Sequence, residues 1–291
     1  MSLRYILLAL TGWTLVSMSA FAADPKIKLL IIDGQNNHNW KESTPLLKEI
    51  FEKAGIFDVS IATAPPGDTK GFAPKFSDYQ VIVSNYNGKD WPAETQKAFE
   101  EYVRNGGGFV SVHAADNSFG DWPEYNTMIG VGGWGGRKPT EGAYLRIKGS
   151  NFVRDTDKGD RVGSHGAQHE FLMTTRAAEH PIMKGLPEKW MHGKDELYDR
   201  LRGPAKNVTV LASAFSEKSK GGSGVDEPLL MVIDYGKGRV FHTALGHGKE
   251  AILCAGFATT LTRGAEWVAT GKVTQEVPTN FPTAEKSSNW K

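Results

Sequence analysis

The sequence predicts an α/β fold, a three-layer sandwich on a mostly parallel central sheet. Apolar runs of strand length alternate with amphipathic helical runs, and the boundaries between them carry glycine and proline. The first half reads strand, helix, strand, strand, helix, strand, the pattern of a parallel sheet with right-handed crossovers.

The elements follow in order. "KIKLLIID" is a continuous apolar strand that ends in the polar loop "GQNNHNW". "TPLLKEIFEKAG" places Leu46, Leu47, Ile50 and Phe51 on one helical face, with Pro45 near its start and Gly55 as its stop. "FDVSIAT" and "YQVIVSN" are the next strands, and "PAETQKAFEEYVRNGGG" is a helix that Pro92 opens and glycines close before the strand "FVSVH". Residues 114–224 are rich in Gly, Pro, Trp and charge, with short strand-like pieces such as "AYLRIKG", "EFLMTT" and "VTVLASA", and are expected to be long insertions on the functional side. "PLLMVIDYGKGRVFHTALGH" is a hairpin turning at "YGKG", and one amphipathic helix is expected from Lys249 to Thr270. The chain divides into a leader (1–22), one domain (23–275) and an extended tail (276–291).

The leader combines Arg4, an apolar run from Tyr5 to about Val16, and Ala20 and Ala22 in A-x-A spacing, the pattern of a secretory signal peptide cut after Ala22. The run is interrupted by Thr11, Gly12, Thr14 and Ser17 and is shorter than the roughly 20 residues of a membrane span, so the expected location is periplasmic or secreted, with no membrane association after cleavage. Removing 22 of 291 residues leaves 269, with 33 basic and 33 acidic side chains, a balance that favours neither nucleic acid nor an anionic membrane. The single cysteine, Cys254, allows no internal disulfide. It lies in an apolar-periodic stretch with nothing basic in the adjacent turns, so it reads as a small buried side chain.

In open α/β sheets ligands bind beyond the carboxyl ends of the strands. That rule gathers His38 after the first strand, His113 at the end of "FVSVH", and His242 and His247 in "FHTALGH", while "HGKDELYD" adds His192, Asp195, Glu196 and Tyr198. Histidines on separate strand ends near a carboxylate suit a divalent metal such as Zn, Mn, Co or Ni, although no HExxH, HxH or paired CxxC is present. His165 and His169 stand four apart, as a helical metal pair would, but their flanks read as loop and strand; His180 reads as structural. The loop "AADNSFGDWPEYNTMIGVGGWGGRKPTEG" offers Asp116, Asn117, Trp122, Trp134 and Arg137, flat faces and planar hydrogen-bonding groups that suit a sugar ring or else pin a long loop to the body. Asn85 and Asp195 complete the substrate-binding candidates. No GxGxxG follows the first strand, and neither nicotinamide nor flavin is expected.

"VHAADNSFGDWPEYNTMIGVGGWGG", "HGKDELYDRLRGPAKNVTVLA", "EPLLMVIDYGKGRVFHTALGH" and "RGAEWVATG" together resemble the trehalose-utilisation (ThuA-like) family. The resemblance implies the flavodoxin-like fold of class I glutamine amidotransferases. In those enzymes a nucleophilic cysteine occupies a strand-to-helix elbow with a partner histidine on a late strand; here His113 stands at the elbow, and His242 or His247 near the partner position. It also implies carbohydrate metabolism through 3-keto sugars, with recurring polar positions at His38, His113, Glu196, Tyr198 and His247, and an oxidoreductase as pathway partner. The expectation is a metal held by His38, His113 and His247. His113 or Glu196 would take the hydrogen on carbon 2, acidified by the ketone, and Tyr198 or His242 would protonate the departing oxygen. Hydrolysis of the same substrate would use the same residues, and a sugar-binding accessory protein is the alternative. A thiol amidase is not expected.

Overall fold

A computed structural model describes residues 25–291 apart from 141, 158 and 160; the leader at 1–22 lies outside the described residues. β1 (Ile27–Asp33), α1 (Trp40–Lys53), β2 (Phe57–Thr63), β3 (Val81–Ser84), α2 (Ala93–Arg104) and β4 (Gly108–Val112) follow the expected alternation. β1, β3 and β4 are buried almost throughout, which is why they read as unbroken apolar runs. α1 begins five residues before Pro45, which therefore sits inside the helix.

The middle of the chain forms α3 (Pro123–Ile129), β5 (Ala143–Lys148), β6 (Asn151–Asp155), β7 (Ser164–His165), β8 (His169–Thr175), β9 (Lys189–Asp195), β10 (Tyr198–Asp199), β11 (Arg202–Gly203) and β12 (Val208–Phe215). β13 (Asp226–Tyr235) and β14 (Gly238–Thr243) form the hairpin, and α4 (Lys249–Leu253) and α5 (Ala255–Thr270) follow.

Among the described residues one nine-stranded sheet has the order β2-β1-β3-β4-β14-β13-β12-β8-β9. β2, β1, β3, β4 and β14 pair in parallel, and every later pairing is antiparallel. Only β13 and β8 run against the rest, so the sheet is mixed in pairing and mostly parallel in direction. The region expected to be insertions thus supplies three strands of the main sheet. β5, β6 and β11 form a small second sheet, and β7 pairs with β10.

α1, α4 and α5 pack together, α1 on β1 and β2, α4 on β9, and α5 on β3, β4, β14 and β9, while α2 packs on β14 and α3 on β13 and β14. The single helix expected over 249–270 is broken at Cys254, whose backbone is extended (φ −60°, ψ 128°). The tail causes the break: Cys254 bridges Asn289, the Ala255 N–H donates to Ser288, and Trp290 donates to Leu253. Beyond the break α5 presses on the sheet through Gly256, where a Cβ would stand 2.4 Å from the buried Trp190 ring. Among the described residues no helix is long and apolar enough to cross a membrane.

Candidate functional site

The chain order reverses direction across the sheet between β1 and β3, where a doubly wound fold opens a crevice at the strand ends. Loops after four parallel strands converge there: His38 follows β1, Asn87 follows β3, His113 follows β4 and His247 follows β14. β4 ends in a sharp turn. His113 has φ +46°, in the left-handed region that costs a non-glycine residue on the order of 1–3 kcal/mol, and a 3₁₀ turn over His113–Asn117 starts at once. The elbow turns an imidazole that is only 3% exposed back over the sheet edge. Its Nδ1 lies 2.8 Å from the Ala244 carbonyl and so donates to it, which leaves the Nε2 lone pair facing the crevice.

Around that lone pair, His38, His113, Glu196 and His247 each present one ligand atom, and these atoms lie within 4.8 Å of one another. Glu196 Oε2 is 3.0 Å from His247 Nδ1 and 3.6 Å from His113 Nε2. Ring centroids stand 4.4 Å apart for His38 and His247 and 4.8 Å for His38 and His113. His113 Nε2 is buried with no hydrogen-bond partner, an atom that a cation would satisfy. Three imidazoles and a carboxylate suit Zn, Mn, Co or Ni.

Asp195 holds the cluster together. Fully buried, its Oδ1 accepts the backbone N–H of Glu196 (2.8 Å) and of His247 (3.0 Å), and its Oδ2 accepts Gly246 N–H (2.8 Å) and His192 Nε2 (2.9 Å). Gln168 reaches His247 Nε2 at 3.1 Å. Burial and the neighbouring imidazoles His113 and His247 push His38 down to about 4, so it stands neutral with a lone pair to offer. Burial alone would raise Glu196, but the adjacent imidazoles of His113 and His247 outweigh it and hold the carboxyl well below its usual range. His113 moves the opposite way: burial disfavours its charge, and Glu196 with Asp195 raises it overall. Burial holds the Tyr198 phenol well above its ordinary value, so it remains a donor.

A cleft of about 360 Å³ opens over the cluster, lined by Asn37, Asn87, Asn117, Trp134, His165 and Tyr198 together with His38 and Glu196. Of the expected substrate residues, Asn117 and Trp134 reach it. The others have different work. Trp122 is buried, donates to Glu100 and packs on Phe119 and Tyr125; Arg137 spends its guanidinium on Asn126 and the carbonyls of Asn117, Gly133 and Ser118. Both pin the loop. Asn85 ties β3 to Ser43 and Thr44 of α1, and Asp195 is the buried anchor just described. His242 is likewise withdrawn from the cleft: Nδ1 bonds the Ile129 carbonyl, Nε2 meets Asp116 at 3.2 Å, and both residues are fully buried.

His165 and His169 lie on strands, in keeping with their flanks, His165 entering the cleft on β7 while His169 opens β8. Asn37, Asn87 and Gln168 escaped notice because a polar loop residue carries no spacing signal. Cys254 is buried as expected, but β9 brings His192 beside it. Burial raises the thiol and His192 lowers it by more, while burial, which lowers His192, is outweighed by Cys254 and Asp195, leaving the imidazole at about 9.

These features define a doubly wound α/β protein with a histidine–carboxylate centre at its switch point. The chain belongs to the trehalose utilisation (ThuA) family, whose model matches residues 28–268. A ThuA-like protein from Parabacteroides merdae is 50% identical with a TM-score of 0.88, covering 91% of this chain and 97% of that one. A ThuA-like protein from Bacteroides uniformis (23% identity, TM-score 0.58, 88% and 96% covered) and a cytoplasmic protein from Salmonella typhimurium (14%, 0.53, 83% and 99%) share the fold. No curated protein matches the chain.

Proposed function

We propose that this protein is an exported, metal-dependent enzyme of carbohydrate metabolism, a lyase or hydrolase of 3-keto glycosides. The observation that carries the reading is the convergence of three imidazoles and one carboxylate beneath a cleft whose other walls are amide and aromatic. Among the described residues that line that cleft there is no lysine or arginine, a lining that favours a neutral ligand. Asn37, Asn87 and Asn117 can pair with hydroxyls while Trp134 offers a ring face, the surfaces that a sugar needs.

His38, His113, Glu196 and His247 would hold the ion, which supplies Lewis-acid polarisation of a substrate carbonyl. The four ligand positions leave little for His113 or Glu196 to do as free bases, and His242 is out of reach. Tyr198, held protonated on the cleft wall, accepts a hydrogen bond from Asn117 Nδ2 (3.4 Å) and sets its hydroxyl 3.3 Å from His38 Nε2. The turn at His113 supports kinship with the class I glutamine amidotransferases, its imidazole standing where those enzymes carry a thiol. A 3-keto substrate requires an oxidoreductase acting before this protein, and the leader pattern at 1–22 supports a periplasmic or secreted setting.

Elemental mass spectrometry of the mature protein, followed by turnover of 3-keto glycosides with the ion found, tests the reading. About one divalent ion per chain and metal-dependent turnover are expected. A metal-free protein that takes up none of Zn, Mn, Co or Ni would leave a sugar-binding role in its place.

A further inference from the structure

We propose that His165 is the proton-carrying catalytic residue of this site, removing a proton from the carbon next to the substrate ketone and delivering one to the departing oxygen. The inference rests on the reading of the cleft as an enzyme for 3-keto glycosides and selects elimination within it.

Three observations converge on His165. The two-residue strand β7 pairs antiparallel with β10 in the register His165–Tyr198, which stands the imidazole beside the Tyr198 ring (centroids 6.0 Å apart, planes at 29°) on the cleft wall. Its Nδ1 lies 2.9 Å from the Gly166 carbonyl oxygen, so Nδ1 carries the hydrogen and Nε2 presents a lone pair. That Nε2 is 3.7 Å from Glu196 Oε1, at the rim of the ligand cluster and outside it.

The other groups lining the cleft are spoken for. His38 is a ligand candidate, Glu196 is a carboxylate clasped by two imidazoles, Tyr198 stays protonated, and the remaining walls are amides, an indole and a glycine. The His165 side chain is 38% exposed, so it can also exchange its proton with water between turnovers. A base must come within hydrogen-bond reach of the proton it takes, and His165 stands where a substrate seated over the cluster would meet it.

The step balances without a co-reactant. His165 Nε2 takes the proton on carbon 2, and the electron pair of that C–H bond becomes the carbon 1–carbon 2 double bond. The bond from carbon 1 to the leaving oxygen breaks with its electron pair on oxygen. The imidazolium then returns a proton to that oxygen, which restores neutral His165 and releases an alcohol and an unsaturated ketone.

The test uses the full mature protein, His165→Ala and His165→Gln, loaded with the ion that wild type binds and assayed on both anomers of a nitrophenyl 3-keto glucoside, with and without added imidazole. The expected result is unchanged metal stoichiometry, KM little altered, kcat lower by about 10²- to 10⁴-fold, and partial recovery of His165→Ala by imidazole. A kcat within about tenfold of wild type, or a loss that imidazole does not relieve, overturns the assignment to His165. Wild type that binds metal and turns over neither anomer overturns the enzyme reading itself, and this inference with it.

Discussion

Metal binding at the His38–His113–Glu196–His247 cluster should appear as thermal stabilisation whose size follows from the fold. An ion that binds only the native state adds RT ln(1 + [L]/Kd), about 2.7 kcal/mol at a hundredfold excess over Kd. With an unfolding entropy of about 2.1 cal/mol/K per residue and roughly 270 folded residues, that energy raises Tm by about 5 °C. The perturbation is His113→Asn, chosen because asparagine tolerates the left-handed backbone at this elbow, where φ is +46°. If losing the imidazole weakens binding a thousandfold, about 4 kcal/mol, the same ion concentration moves Tm by less than about 0.5 °C. The assay is differential scanning fluorimetry of chelator-stripped protein titrated with Zn, Mn, Co and Ni. His180→Asn serves as control, since His180 packs against Trp267 away from the cluster, and it should keep the full shift. No shift in wild type with any of the four ions, or an equal shift in His113→Asn, would refute the argument.

Four further outcomes are expected. Asp195→Asn directs an amide N–H₂ at backbone donors and leaves a buried His192 without its counter-charge, so chemical denaturation should show a loss of about 3–5 kcal/mol, with metal affinity down about 10- to 100-fold. Burial pushes Glu227 from 4.5 up to about 7, more than Arg146, 2.9 Å away, pulls it down. The folded state therefore holds this proton more tightly: its contribution is complete below about pH 4.5 and is lost as pH rises through 7, on the order of 3 kcal/mol, and Glu227→Gln should flatten the decline of Tm over that window. Gly264→Ala places a Cβ 2.2 Å from the buried Phe241 ring, and the overpacking should outweigh the gain in helix propensity for a net loss of about 2 kcal/mol by urea titration. If the leader directs export, N-terminal sequencing of the protein recovered from the producing cells should begin at Ala23; an unprocessed N-terminus would count against the leader.

The alternating elements β1 to β4 were legible because each is specified by its own residues: a strand buried on both faces needs an unbroken apolar run, and a helix on its surface needs a 3.6-residue stripe. The places of His38, His113 and His247 were legible for a related reason, since loops after parallel strands share one edge of the sheet. Contacts between elements distant in the chain carry no such local signature. Glu196 becomes a potential ligand because one buried carboxylate, Asp195, accepts N–H groups from Glu196 and from His247, 52 residues further along. His165 reaches the cleft through a two-residue pairing with β10, too short to leave a periodic pattern. Trp122 and Arg137 have the composition of a sugar platform, yet the loop needs them for its own packing and carbonyl bonds. The helix broken at Cys254 has no glycine or proline at the break, because the interruption is imposed by the tail pairing across it. Local periodicity thus determined the layers and the edge where chemistry gathers. Long-range hydrogen bonding, which places a side chain by the partner it finds, decided which residues stand there.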